Sequence, residues 1–183
     1  MHDAQLATDN TTRLTWDFLV NTVWYVKQPD LPALQFTPDT GLLAWQGDQT
    51  VWHITGYKNG YFWGITSAVM FDPDDANSDT MGKPRQLSLI GTVTASGQVQ
   101  ITFIRASRRS ESITTGFGQL TQLDGAWVFQ MQMSTPSGDN QLLHWANMAQ
   151  TVESDASWKK LPGVPYSVPD MLDGASYPQF GDD

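Results

Sequence analysis

The chain of 183 residues has no cysteine. That removes disulfides, thiolate metal sites and a cysteine nucleophile, and it fits a reducing compartment. Positive charge is scarce: ten Lys and Arg stand against nineteen Asp and Glu, a formal net charge of −9. Nucleic acid needs a basic face to meet its phosphates, and an anionic membrane surface needs the same, so neither partner is expected. The densest basic cluster, Arg105, Arg108 and Arg109, reads as a turn. No apolar run approaches the ~20 residues of a membrane-spanning helix. Met1-His2-Asp3-Ala4-Gln5-Leu6 lacks the basic and apolar regions of a signal peptide, so a cytoplasmic location is expected unless a leader was removed. Histidine is scarce too. Three residues without an His-x-x-x-His pair give no zinc ligand set.

Aromatic side chains, by contrast, are abundant: eight Trp, eight Phe and five Tyr. They bury large rigid surfaces and favour strands. Near the start, Thr11 or Thr12 is placed to cap a short helix carrying Leu14, Phe18 and Leu19 on one face. Leu31 to Leu43, broken by Pro32, Pro38 and Gly41, reads as an extended connection. Beyond it the apolar period is two. Strands are expected at Gln49–Thr55, Tyr61–Val69, Gln86–Thr94, Gln98–Arg105, Ser112–Leu120, Ala126–Met133 and Gln141–Gln150, with an early one at Thr22–Val26. Asn59-Gly60, Ala95-Ser96-Gly97 and Asp124-Gly125 are hairpin signals. About eight strands in a meander leave no room for crossover helices, which excludes a parallel sheet. One face of each strand is apolar: Val99, Ile101 and Phe103; Trp127, Phe129, Met131 and Met133; Leu87, Leu89 and Val93. The expected fold is all-β, an antiparallel up-and-down barrel with a short N-terminal helix and a Pro-rich tail; a two-sheet sandwich fits the same alternation. Residues 1–150 make the barrel. In 151–183, Pro162, Pro165, Pro169 and Pro178 exclude a long helix, while Trp158, Tyr166, Met171, Tyr177 and Phe180 imply packing on the barrel or on a neighbouring subunit, which would make a homo-oligomer.

The early Thr22-Val23-Trp24-Tyr25, the glycine-turned hairpins and the late Gln141-Leu142-Leu143-His144-Trp145 give residues 21–150 an architecture that resembles the calycin barrels, lipocalin-like and avidin-like. The lipocalin Gly-x-Trp signature is absent, since Asn21 and Thr22 precede Val23-Trp24, and no avidin ligand residue transfers by position. The resemblance implies an apolar cavity at one barrel end and says nothing of its chemistry.

Ionisable residues in apolar phases are the candidates for chemistry. His144 shares a phase with Leu142, Ala146 and Met148, although the other phase is also apolar. Arg105 continues the Phe103 phase, where a guanidinium needs a carboxylate or a ligand oxygen. Asp72 and Glu153 are nearby acids. His144, Arg105 and Asp72 are therefore the expected catalytic set. Trp127, Phe129, Met131, Phe103, Trp63 and His53 are the expected ligand contacts, with plain core as the competing role for the Trp127 to Met133 stripe. Asp75-x-Asn77-x-Asp79 lacks the glycine and the bidentate Glu of a calcium loop and reads as solvated, so neither metal nor other cofactor is expected. Gly116-Phe117-Gly118 lies in a strand pattern and marks a bulge or a close approach to the backbone; no Gly-x-Ser-x-Gly elbow occurs.

Two functions fit these features. One is a cofactor-independent enzyme of lyase, isomerase, hydratase or cyclase type, moving protons on an enclosed apolar or aromatic substrate. The other is a non-catalytic carrier of a small hydrophobic ligand. The missing leader favours the enzyme, because carriers of this shape are more often secreted.

Overall fold

The computed structural model describes residues 15–28, 32–74, 81–104, 113–137 and 140–180. Its strands are β1 (Thr22–Val26), β2 (Ala33–Thr37), β3 (Leu42–Lys58), β4 (Tyr61–Phe71), β5 (Arg85–Val93), β6 (Gln98–Ile104), β7 (Thr114–Leu123), β8 (Ala126–Ser137) and β9 (Asn140–Thr151). From β3 to β9 each strand pairs antiparallel with the next. β1 and β2 both pair with β3 on one side and β9 on the other, so together they fill one position. The result is an eight-position closed antiparallel barrel, which resembles the calycin architecture and excludes the sandwich.

Turn chemistry sets the register. Asn59 and Gly60 have φ of 53° and 87°, and Asp124 and Gly125 have 52° and 82°. Both pairs form the left-handed two-residue turns whose twist suits a hairpin. The segment expected as an extended connection contains β2 instead. Pro32 and Pro38 flank that strand without entering it, so no ladder hydrogen bond is lost. Of the expected N-terminal helix, Thr11, Thr12 and Leu14 lie outside the described residues; Asp17–Leu19 forms a 3₁₀ turn.

Inside the barrel, Trp24, Trp52, Phe62, Phe129, Met131 and Met148 are completely buried. Phe129 is the hub, with its ring edge-to-face against Trp24 at 4.7 Å and against Trp52 at 5.3 Å. Glycines in neighbouring strands admit these bulky groups. A Cβ at Gly91 would overlap the Phe62 ring, and one at Gly116 or Gly118 would overlap Met133 or Met131. The Gly116-Phe117-Gly118 pattern thus marks close approach. One barrel end is stoppered: Trp16 and Leu19 join the core, and Trp16 Nε1 donates to the Thr94 carbonyl at 2.9 Å.

A second apolar cluster lies outside the barrel. Val23, Val51 and Val69 on β1, β3 and β4 are covered by Leu161, Val164, Val168 and Met171 from the C-terminal segment. In that segment are α1 (Ala156–Lys159) and α2 (Val168–Leu172). Ser167 and Asp170 form a reciprocal capping box at α2, which directs Val168 and Met171, three residues apart, onto the barrel. No helix among the described residues is long and apolar enough to cross a membrane.

Gln49 joins the two layers. Its amide accepts from Val26 N–H at 3.1 Å and donates to the carbonyls of Val26 (3.0 Å) and Pro162 (2.8 Å). The side chain replaces the ladder partners that β1 loses where it stops. Gln49→Leu keeps the volume but leaves buried backbone groups unmet, an expected loss of about 1–3 kcal/mol in urea denaturation.

Candidate functional site

The barrel end opposite the Trp16 stopper contains a cavity of about 340 Å³, within the size range of small-molecule sites. Its apolar lining is Ala68, Met70, Leu87, Phe103 and Leu142. Phe103 is also its link to the core, since its ring packs against Trp52 at 5.8 Å. The polar lining, interleaved with the apolar one across neighbouring strands, is Gln35, Asp48, Thr50, Thr66, Thr114, Thr135 and His144, and Gly82, Lys83 and Arg85 complete it. Lys83 and Arg85 are exposed.

His144 and Asp48 come from β9 and β3, the strands on either side of the position shared by β1 and β2. Their side chains meet inside the barrel, with His144 Nδ1 2.9 Å from Asp48 Oδ2. This is ion-pair distance, but the alignment falls short of a hydrogen bond. Both side chains are nearly buried, at 11% and 4% exposure. Thr50 donates its hydroxyl to Asp48 Oδ1 at 3.0 Å. Thr66 Oγ1 is buried without a hydrogen-bond partner, an uncommon and costly state. Thr114 and Thr135 satisfy each other at 2.9 Å.

Of the residues expected from the sequence, His144 and Phe103 line this cavity. Phe129 and Met131 lie in the packed core beneath. Trp127 is at the stoppered end, edge-to-face with Trp16 at 5.2 Å and stacked on Phe18 at 5.4 Å. Asp72 is exposed in the turn after β4, where it accepts from Asp74 N–H at 2.9 Å. Arg105 and the Asp75-x-Asn77-x-Asp79 pattern lie outside the described residues. Glu153 is exposed beyond the end of β9. Among the described residues no group of three His, Asp or Glu is arranged to hold a metal ion.

Trp63 and His53 face outwards. Trp63 borders an outer groove of about 530 Å³ with Tyr61, Ile90 and Phe180, and Phe180 meets its ring edge-to-face at 5.0 Å. His53 Nδ1 is 2.8 Å from the Tyr177 hydroxyl. Burial holds the His53 imidazole below its ordinary 6.5 and the Tyr177 phenol above its ordinary 10. As pH falls below about 6.5, the unfolded chain takes up a proton that folded His53 resists, so stability is lost. Tyr177 acts oppositely: as pH rises past about 10, the unfolded chain ionises first and stability again falls. Wild-type protein is therefore expected to lose more stability between about pH 8 and pH 5 than His53→Gln, measured by denaturant titration. Equal losses would show that this contact does not report protonation.

Asp48, Thr50 and Thr66 were not among the expected site residues. The signal for Asp48 was present: carried two positions towards the N-terminus, the alternation of Ile54, Trp52 and Thr50 puts Asp48 on the same face. A strand begun at Gln49 stops one residue short of it.

Comparison of the chain with protein-family models, curated proteins and solved structures finds no match. The functional argument therefore rests on the barrel and its open end.

Proposed function

We propose that this chain is a binding protein, holding one small, largely apolar molecule in the open end of its barrel. The observation that carries this reading is a cavity of ligand size at the open end, lined by Met70, Leu87, Phe103 and Leu142, together with a buried Thr66 hydroxyl that has no partner. A barrel filled by its own side chains would leave neither. The −9 charge supports a ligand other than nucleic acid. A hydrophobic fluorescent probe is expected to bind one molecule per chain and to change tryptophan emission through Trp52, which packs against Phe103 of the cavity wall. Absence of binding to folded protein at any probe concentration would defeat the proposal.

One observation favours a catalytic variant of this reading. A carboxylate 2.9 Å from one imidazole nitrogen is one part of the arrangement that orients a general base. His144 would then move a proton on the bound molecule, in lyase, isomerase, hydratase or cyclase chemistry. Incubating a bound candidate with wild-type and His144→Ala protein and following it by NMR tests this; conversion by wild type about 10²–10⁴-fold faster than by the folded variant supports it.

A further inference from the structure

We infer that two copies of this chain pair through the outer barrel face made by β9, β2 and the start of β3. The inference concerns the outside of the barrel and is independent of any ligand. Strand alternation defines the face. Gln35, Leu142 and His144 point inwards to line the cavity, so their neighbours Leu34, Phe36, Leu143 and Trp145 point outwards. Register sets Leu34 between Leu143 and Trp45, and Phe36 beside Leu43. These six side chains form one contiguous apolar patch, in which Leu43, Trp45 and Trp145 are 64%, 60% and 53% exposed. The outer apolar residues of β1, β3 and β4 are treated differently, since the C-terminal segment covers them with Leu161, Val164, Val168 and Met171.

Area and charge point to a second copy as the occupant. A large aromatic ring buries about 150–250 Å², so the exposed parts of the patch amount to roughly 500 Å², the size of a functional patch on a monomer. Two copies face to face would bury about 1,000 Å² in apolar contact, the lower limit of a specific interface. Exposed Gln132 and Gln141, beside Trp145 and Phe36, supply a polar rim. A chain of charge −9 repels its own copy wherever acidic groups meet. None meet here. The charged side chains of the strands are Asp48, Lys58 and Arg85; Asp48 and Arg85 line the cavity and Lys58 borders the outer groove. In a two-fold contact each patch meets itself. Apolar groups and amides, which both donate and accept, are self-complementary, whereas a charged partner would find no counter-ion on this face.

Sedimentation velocity over a range of concentrations tests this on wild type, Trp145→Glu and Leu43→Glu. The two substitutions stand on separate strands, so the test survives if one variant does not fold; circular dichroism establishes folding of each. Wild type is expected to pass from one chain of 20.3 kDa to two between about 1 and 100 μM, as for an interface near the lower size limit. A charge placed in the patch is expected to weaken that dimer by at least about thirtyfold. Tyr61→Glu, in the outer groove, is expected to leave it unchanged. Wild type that stays a single chain up to about 1 mM would overturn the inference. So would a dimer unaffected in every folded patch variant, a dimer lost in Tyr61→Glu alone, or growth beyond two copies.

Discussion

Phe129→Ala is expected to destabilise the protein by about 3–5 kcal/mol, the range for removing a buried aromatic ring. The ring is completely buried and meets Trp24, Trp52 and Phe62 at 4.7, 5.3 and 6.2 Å. Its removal forfeits the burial and the edge-to-face contacts, each worth about 0.5–1.5 kcal/mol. The strands of a closed barrel are tied to both neighbours, so the void has little freedom to collapse. Set against the ~5–15 kcal/mol of a typical domain, such a loss leaves a marginal fold. Urea denaturation measures it, with Phe180→Ala as the control, because Phe180 is 78% exposed. A loss below about 1 kcal/mol for Phe129→Ala would show that the interior is not packed around this ring.

Ala68→Trp is expected to reduce probe binding by at least about a hundredfold while keeping the fold. Ala68 lies on the inner face of β4, between Thr66 and Met70 on the cavity lining. An indole there occupies the space a ligand would fill, and the space already exists, so overpacking strain stays within about 1–3 kcal/mol. In the outer groove the roles reverse. Ile90→Ser alters its wall, with Tyr61 and Trp63, and is expected to leave probe affinity unchanged. Affinity retained in Ala68→Trp and lost in Ile90→Ser would move the site to the outer surface.

The hairpins were legible because their causes are local. Asn59-Gly60 and Asp124-Gly125 name their turns, and the Val99-Ile101-Phe103 and Phe129-Met131-Met133 phases point inwards as their alternation implies. The direction of His144 was not legible, since both phases of β9 carry apolar residues; register with Met133 on β8 decides it. His53 turned outwards for a related reason. Its neighbour Val51 is as buried as any core residue, but under the C-terminal segment and not inside the barrel. Alternation separates the two faces without saying which is covered by what. The Asp48–His144 pair joins residues far apart in the chain, across a position that two short strands share. No spacing rule within either strand anticipates it.

The most direct measurement of ligand seating is methyl NMR of the folded protein with and without a saturating apolar probe. Seating in the barrel is expected to shift the methyl signals of Ala68, Met70, Leu87 and Leu142, which line the cavity, and to leave that of Ile90 in the outer groove in place. A shift confined to Ile90, with the cavity methyls unmoved, would contradict the claim that the open end of the barrel is the binding site.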